Sequence, residues 1–243
     1  MNNPKVSIII ATFNAAKTLP VAMDSVMNQT FQDWECIIVD GASKDSTVEI
    51  VKSYVDRDSR FRYISELDKG VYDAFNKGWK KAKGEWVYYL GCDDKLTKEG
   101  IKEMMVHENN TDLLMGNVFL VYDNGREKIY RSKGIRGSHQ AFFTRRYIFE
   151  KLNGFDLQYK IISDRDFMIR AIKNGYKIKN IDTQVAYFSM GGLCSNIKNL
   201  KKIAQERVLI YKRNNWVKYP KLRAYVSMLK KMATFYLIKY KIL

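Results

Sequence analysis

The chain has 243 residues, 46% of them hydrophobic, which is enough for one large α/β domain with a buried core. Its three cysteines are far apart and form no CxxC pair, so a zinc finger and a disulfide framework are excluded and a reducing, cytoplasmic compartment is expected. The sequence shows neither a signal-peptide pattern nor an apolar run of about 18 residues. The formal net charge of +16 requires an anionic partner, which is nucleic acid, anionic lipid or an anionic substrate.

The first 95 residues alternate between strand and helix patterns. Apolar, β-branched runs predict strands at 5–11, 34–40, 61–64 and 86–90. Amphipathic spacing and capping residues predict helices at 17–29, 47–54 and 71–82. This βαβ order predicts a mostly parallel sheet with helices on both faces.

The regularity weakens in the second half of the chain. We predict a strand over 112–122 closed by a hairpin turn at 123–125, helices over 145–152 and 164–174, and a late strand region over 177–188. The glycine-rich segment 191–195 is predicted to be a flexible loop that can close over a ligand.

Asp93 and Asp94 directly follow the strand predicted at 86–90. In an open α/β sheet, ligands bind beyond the carboxyl ends of the strands. Adjacent carboxylates in that place suit Mg²⁺ or Mn²⁺, which would in turn hold a diphosphate. The alternative is that the two aspartates only form a turn or start a helix.

Asp40 ends the second predicted strand, where its carboxylate could accept a hydrogen bond from a nucleobase imide or a ribose hydroxyl. Its alternative role is to cap a helix or a turn. The chain lacks both the GxGxxG fingerprint and the P-loop lysine motif, which argues against NAD enzymes and P-loop NTPases.

Five segments, in this order and spacing, resemble the family 2 glycosyltransferases with the GT-A fold. They are Ser7–Asn14, Val39–Thr47, Asp68–Gly78, Gly84–Trp86 and the pair Asp93-Asp94. The third segment, which contains Asp-Lys-Gly-x-Tyr-Asp-Ala, is similar to a bacterial subgroup that builds capsule, exopolysaccharide or lipopolysaccharide O-antigen. The resemblance covers residues 5–190 and implies a GT-A domain over 1–195, with a nucleotide-sugar half (1–95) and an acceptor half (96–195).

The resemblance implies a nucleotide-diphospho-sugar donor. Asp40 would read the base, Asp94 would ligate Mn²⁺ or Mg²⁺, and Asp93 would face the ribose or the metal. The metal would offset the charge on the leaving diphosphate. The other residues expected to line or flank the donor are Thr12, Asn14, Lys69, Asp73, Asn76 and Lys77. For the last four, an exposed polar helix start is the alternative.

Inverting transfer needs a carboxylate that takes the proton of the attacking acceptor hydroxyl. By resemblance Asp164 is this base, with Asp166 as second choice on the acceptor side; Asp164 could also be the N-cap of its helix. Family members carry Glu or Ala where this chain has Ser163. The pair His139-Gln140 matches the acceptor-side segment of the subgroup, which implies a place near the acceptor or the diphosphate, although a lone histidine is more often structural.

The C-terminal segment 196–243 is predicted to be a basic helical tail. From Arg207 onward it has ten Lys or Arg residues and no acidic residue. Apolar residues recur at spacings of three and four, namely Leu222, Tyr225, Val226, Leu229, Met232, Phe235 and Tyr236. This pattern is typical of a helix that lies on an anionic membrane, where each nearby cation contributes about 1 kcal/mol. The alternatives are packing on the protein's own core and a homodimer contact.

The sequence therefore predicts an inverting glycosyltransferase, peripheral on the inner face of the cell membrane. It would transfer a sugar from a UDP-sugar, or alternatively a GDP-sugar, to a lipid-linked diphosphate saccharide. One alternative is a basic nucleic-acid-binding protein, which should spread cations and aromatic residues over one groove. Another is a sugar nucleotidyltransferase, but the segment 12–16 after the first strand lacks the glycines of a triphosphate loop. A catalytically inactive scaffold is disfavoured because the acidic motifs are intact.

Overall fold

The structure is a computed structural model that describes residues 3–122 and 124–239. Its strands are β1 (Val6–Thr12), β2 (Trp34–Asp40), β3 (Phe61–Ser65), β4 (Trp86–Gly91), β5 (Lys95–Leu96), β6 (Leu113–Val121), β7 (Glu127–Tyr130), β8 (Phe142–Arg145) and β9 (Ile178–Ser189). Its α-helices are α1 (Leu19–Met27), α2 (Thr47–Val55), α3 (Val71–Lys81), α4 (Gly100–Met105), α5 (Arg146–Leu152), α6 (Ser163–Lys173), α7 (Leu200–Arg213) and α8 (Pro220–Lys239).

One mixed sheet joins the two halves of the chain, in the order β3-β2-β1-β4-β8-β6-β9-β5, with β7 paired to β6. Strands β3, β2, β1 and β4 are parallel, as their βαβ connections require, whereas β8 is antiparallel to both β4 and β6. The chain leaves β1 toward β2 on one side and later returns to β4 on the other. The carboxyl ends of β1 and β4 therefore flank the crevice where ligands bind in such sheets.

Helices cover both faces of the central parallel strands, which explains why β1, β2 and β4 are buried along almost their whole length, whereas the edge strand β3 alternates. On one face, Ile8 and Ile10 of β1 pack with residues of α1, α2 and α4. On the other face, Ile9 packs with residues of α3, α5 and α6. The mixed α/β fold class predicted from the sequence is confirmed.

The predicted elements of the first half match the structure closely, and β2 agrees at both ends. In the second half, β6 and β7 form the predicted hairpin, although Asp123 lies outside the described residues. Of the turn or helix start considered as the alternative for Asp93 and Asp94, the structure has the turn, which leads into the short strand β5. The alternative N-cap role of Asp164 is not found, because the N-cap of α6 is Ile162 and Asp164 lies inside the first helical turn.

The segment after residue 195 is not one tail, because α7 packs against the body of the protein. Ile203 and Ile210 of α7 share an apolar cluster with Ile161 and Ile169. Just beyond α7, the backbone carbonyl of Asn214 accepts a 2.7 Å hydrogen bond from a lysine of α6. The predicted boundary between 195 and 196 therefore cuts through a packed unit, and the sequence wrongly assigned α7 to the tail.

Helix α8 presents two different faces. Its buried Ala224 and partly buried Met228 face the protein, while outward residues are exposed. These outward residues are Leu222, Tyr225, Val226 and Leu229. Of the predicted apolar stripe, Met232 thus belongs to the inner side, and the side chains at 235 and 236 lie outside those described. None of the helices in the described part of the chain has the length and apolarity that crossing a membrane requires.

We expect a chain that ends at residue 195 to lose cooperative unfolding, because it would expose the apolar surface on which Ile203 and Ile210 pack. A chain that ends at residue 219 should still unfold in one cooperative step. Circular dichroism during urea denaturation of both proteins checks this. Equal cooperativity of the chain ending at 195 and the full chain would show that α7 is a dispensable tail.

Candidate active site

The sheet brings the ends of its first strands together at one edge. Thr12 at the end of β1 is in register with Asp40 at the end of β2, and both are buried. Asp94 lies just beyond β4, the other neighbour of β1. The structure therefore gathers the side chains that the sequence predicted to line the donor pocket.

Asp40 holds the loop that follows β2. Its Oδ2 accepts hydrogen bonds from the Ser43 backbone N–H at 3.0 Å and from the Ser65 hydroxyl at 2.7 Å. Asn14, with a left-handed φ of 49°, ties the loop after β1 to the same segment, because its Oδ1 accepts the Lys44 N–H at 2.8 Å. Both side chains thus hold the loops that follow β1 and β2. Contact of either side chain with a nucleotide stays a prediction.

Asp94 is as deeply buried as Asp40, with 1% of its surface exposed. Its Oδ1 accepts the Ser189 backbone N–H at 2.8 Å, and its Oδ2 accepts the side-chain amide of Gln140 at 2.7 Å. Asp93 is exposed beside it, and its backbone carbonyl accepts the Ser189 hydroxyl at 2.6 Å. Gln140 was expected near the acceptor or the diphosphate, and the structure places its amide against Asp94.

The Asp93-Asp94 pair suits a divalent cation. Burial raises the pKa of Asp94 to about 7, and the negative charge of Asp93 adds to the rise. Each Asp94 oxygen accepts one hydrogen bond from these neighbours and retains a lone pair. In the described part of the chain, no three His, Cys, Asp or Glu side chains converge on one metal position. Mg²⁺ and similar cations often use one or two carboxylates together with water and substrate phosphates, so the pair fits such an ion.

Asp164 is a carboxylate of the site that is partly exposed to solvent. Its Oδ1 accepts the Tyr72 hydroxyl at 3.0 Å and the Arg165 backbone N–H at 2.8 Å. Its Oδ2 lies 3.8 Å from Nδ1 of His139, and the side chain retains 17% exposure. Burial lowers the pKa of His139, which favours the neutral imidazole, while the nearby charges of Asp164 and Asp93 oppose this shift. The helical spacing placed Tyr72 only on the apolar side of α3, and no local pattern predicted its contact with Asp164.

Glu206 of α7 fixes the chain just before the helix that carries Asp164. This buried carboxylate accepts the backbone N–H groups of Lys160, Ile161 and Ile162 at 2.8, 3.1 and 3.1 Å. Three N–H groups on one carboxylate make a strong, charge-assisted contact. Sequence reasoning missed it because a single acidic residue in a basic segment gives no motif.

The residues expected on the loop and helix beside the donor have different surroundings. Lys69 is exposed, and its backbone N–H donates to Asp73 at 2.9 Å. Lys77 donates to the Leu67 carbonyl at 2.6 Å and pairs with a glutamate at 3.0 Å. Of these two lysines, only Lys69 has a side chain without a hydrogen bond or an ion pair in the described part of the chain.

Asn76 connects α3 to the loop after α5. Its Nδ2 donates to the Phe155 carbonyl at 2.8 Å, and its Oδ1 accepts N–H groups from Phe155 at 2.9 Å and Trp79 at 3.0 Å. One amide N–H is left for a ligand. Asn76 thus has a structural task that the sequence did not indicate.

Asp166 does not reach the site. It is fully buried, its Oδ2 lies 2.7 Å from Nε of Arg170, and its Oδ1 accepts the Asn214 amide at 3.1 Å. These contacts join α6 to the end of α7. Asp166 therefore does not have the acceptor-side role expected from the sequence, because a side chain enclosed in this way cannot touch an acceptor.

The segment predicted to be a flexible loop lies against the carboxylate pair. Gly191 has a φ of 122°, which favours glycine, and its N–H donates to the Ser195 hydroxyl at 2.7 Å. A side chain at Gly192 would come within 3.9 Å of Asp93. Closure of this loop over a ligand stays a prediction.

Comparison with known proteins gives a consistent set of similarities. The family model described as Glycosyl transferase family 2 matches residues 7–176. A PGL/p-HBAD biosynthesis glycosyltransferase of Mycobacterium tuberculosis is 33% identical over 211 residues, which cover 81% of this chain and 82% of the relative. An uncharacterized glycosyltransferase of Methanocaldococcus jannaschii is 30% identical over 222 residues, which cover 83% and 76%.

Two solved structures share the fold. Residues 1–349 of S. aureus TarS, in complex with UDP-GlcNAc, have a TM-score of 0.73 and 21% identity, and the match covers 95% of this chain and 73% of that fragment. The mannosyltransferase PcManGT of Pyrobaculum calidifontis, in complex with GDP-Man and Mn²⁺, has a TM-score of 0.72 and 17% identity, with 93% and 70% covered.

We expect the metal-free Asp94→Asn variant to gain stability over the wild type as the pH rises. The folded-state pKa of Asp94, about 7, lies above its ordinary value of 3.8, so ionisation destabilises the folded wild type increasingly between about pH 4 and pH 7. The variant cannot ionise there, and the difference in unfolding free energy should grow by at most about 4 kcal/mol across this range.

Urea unfolding in EDTA at several pH values measures this difference. Asp33→Asn, at an exposed aspartate, is the matched control and should show no comparable trend. A difference for Asp94→Asn that stays constant from pH 5 to pH 8 would contradict the raised pKa.

Proposed function

This chain belongs to glycosyl transferase family 2, and we propose that it transfers a sugar, with inversion, from a nucleotide-diphospho-sugar to a lipid-linked saccharide. The observation that carries the proposal is that two consecutive residues, His139 and Gln140, contact two different carboxylates of the site. His139 lies 3.8 Å from the open oxygen of Asp164, while the next residue, Gln140, holds Asp94 at 2.7 Å. A carboxylate fit to act as base and a carboxylate pair fit for a cation thus lie next to each other.

The donor would occupy the edge formed by β1, β2 and β4. Asp40, Thr12 and Asn14 would line the base and ribose part, and the Asp93-Asp94 pair would lie beneath the diphosphate. Lys69 and Asp73 would flank it from the start of α3. UDP is the proposed nucleotide because TarS was solved with UDP-GlcNAc, and GDP is the alternative because PcManGT was solved with GDP-Man.

Asp164 would act as the general base. Its Oδ1 is engaged by Tyr72 and the Arg165 N–H, so Oδ2 is the oxygen left to take a proton. As the acceptor hydroxyl oxygen forms its bond to the anomeric carbon, the bond from that carbon to the diphosphate breaks, and the hydroxyl proton passes to Asp164. The imidazole of His139, 3.8 Å from Oδ2, would help to orient the acceptor hydroxyl.

Asp93 and Asp94 would hold Mn²⁺ or Mg²⁺, which supplies positive charge to offset the charge that builds on the departing diphosphate. PcManGT was solved with Mn²⁺, which supports the choice of ion. Ser189 and Gln140 would keep Asp94 in place whether or not the ion is bound, because their hydrogen bonds fix both of its oxygens.

Helix α8 supports a location at the inner face of the cell membrane. Its outward side exposes 64% of Leu222 and 58% of Leu229, and the basic residues Lys221 and Arg223 lie beside them. Apolar groups flanked by cations favour an anionic bilayer surface. An acceptor anchored there would suit the assembly of lipopolysaccharide, capsule or a related surface polysaccharide, and a homodimer contact is the other use of this face.

Isothermal titration with UDP and with GDP, each with and without Mn²⁺, tests the donor site. We expect Mn²⁺-dependent binding of one nucleotide to the wild type and its loss in Asp94→Ala, because that variant removes a proposed metal ligand. Asp33→Ala, at an exposed position outside the proposed site, should bind like the wild type. If no form of the protein binds either nucleotide, the proposed function is wrong.

We expect Asp164→Asn to lower the turnover of the nucleotide-sugar by at least about 100-fold, since loss of a general base costs about that much. Nucleotide affinity should stay unchanged, because Asp164 contacts the acceptor and not the donor. Release of UDP or GDP from the corresponding sugar nucleotide gives turnover, and titration gives affinity. Turnover close to that of the wild type would exclude Asp164 as the base.

A further inference from the structure

Three cations from three different helices gather beside Asp164. They are Arg165 of α6, Arg207 of α7 and Lys231 of α8. Burial and the nearby Arg207 charge lower the pKa of Lys231, and burial together with the Arg165 charge lowers that of Arg207. The negative charge of Asp164 opposes this lowering of the pKa of both side chains. The three positive groups and the proposed base therefore share one small region.

Nothing in the described part of the chain neutralises this group at close range. None of the three side chains has a carboxylate within 4.0 Å. Arg207 is only 9% exposed, and its buried Nε has no hydrogen-bond partner, although one of its terminal nitrogens donates to Ser227. An unpaired buried guanidinium N–H is costly, and the crowding of like charges adds to that cost.

The register of α8 explains how its lysine arrives there. Ala224 is buried, Ser227 contacts Arg207 and Met228 packs inward, so this stripe faces the protein. Lys231 follows Ser227 by four positions and Met228 by three, which places it on the same stripe. The opposite stripe of the same helix carries the exposed apolar residues. Helix α8 thus combines an apolar outer face with a cation directed toward the site.

We infer that Arg165, Arg207 and Lys231 bind the phosphate or diphosphate group of the acceptor. This inference rests on the proposed function. Guanidinium and ammonium groups are the protein's usual partners for phosphate oxygens, and a buried guanidinium with a free N–H is ready for one. The donor diphosphate is assigned to the Asp93-Asp94 pair and its cation, which leaves the cluster for a second anion. An acceptor held there presents its sugar hydroxyl to Asp164, and its lipid can leave along the apolar face of α8.

Farnesyl diphosphate, titrated into the full-length protein with UDP and Mn²⁺ present, tests the site. We expect binding by the wild type and at least about a tenfold loss of affinity in Arg207→Gln and in Lys231→Met, since each removes a charge-assisted contact. Arg207→Lys, which keeps the charge but loses the planar fork, should fall between them. Lys212→Met, at an exposed position on α7, is the matched control and should bind like the wild type.

Two further ligands identify the source of the anion. Inorganic pyrophosphate should bind more weakly than farnesyl diphosphate, and farnesol should not depend on the three cations. Equal binding of pyrophosphate and farnesyl diphosphate would overturn the assignment to a lipid-linked group. Equal losses for farnesol and farnesyl diphosphate in the variants would overturn the assignment to an anion.

Nucleotide titration of the same proteins separates this inference from the proposed function. If UDP binds the wild type and Arg207→Gln alike, but farnesyl diphosphate binds both equally well or neither, the acceptor site is wrong and the donor site stands. If UDP affinity falls tenfold in Lys231→Met, the cluster belongs to the donor and the inference is wrong. If neither UDP nor GDP binds, both fail. Although its charged end lies near Arg207 and Asp164, the Lys231 residue as a whole keeps much of its surface in solvent. Lys231→Met therefore keeps the test valid even if Arg207→Gln unfolds, which thermal denaturation will show.

Discussion

The burial of the Asp94 carboxylate beside a second carboxylate is the constraint on which the rest of the site depends. A buried negative charge needs hydrogen bonds and a cation to be stable. Asp94 obtains its hydrogen bonds from Ser189 at the end of β9 and from Gln140 before β8, both in the second half of the chain. The donor half therefore cannot form its acidic centre alone, and the antiparallel addition to the sheet completes the site as well as the fold.

The proposed base depends in the same way on helices that come later in the chain. Glu206 of α7 accepts three backbone N–H groups ahead of α6, and Asp166 pairs with Arg170 while also reaching Asn214. Loss of one partner of a buried ion pair typically costs about 3–5 kcal/mol. Helix α7 is thus part of the structure that positions Asp164, although the matched family region ends at residue 176.

The chain has a net charge of +16, and its acidic and basic groups lie in different parts of the proposed site. Acidic groups lie at the carboxyl ends of the parallel strands, where a cation and a diphosphate would meet. Cations from α6, α7 and α8 lie near Asp164. Because the outer face of α8 is both apolar and basic, a bilayer surface and the acceptor group would be met by opposite faces of one helix. Long-range attraction and local recognition would then come from the same segment.

The sequence by itself determined the parallel half of the sheet and the acidic motifs, because β-branched runs such as Ile8–Ile10 and the aspartates after them are local signals. It did not reveal that Gln140 supports Asp94, that Tyr72 holds Asp164 or that Asp166 is enclosed. These outcomes depend on contacts between residues 46 to 92 positions apart, which no local pattern encodes. Spacing also could not tell which side of α8 faces the protein, because both sides carry apolar residues. Only tertiary packing against α7 decided that, and with it which lysine lies near the site and which face stays exposed.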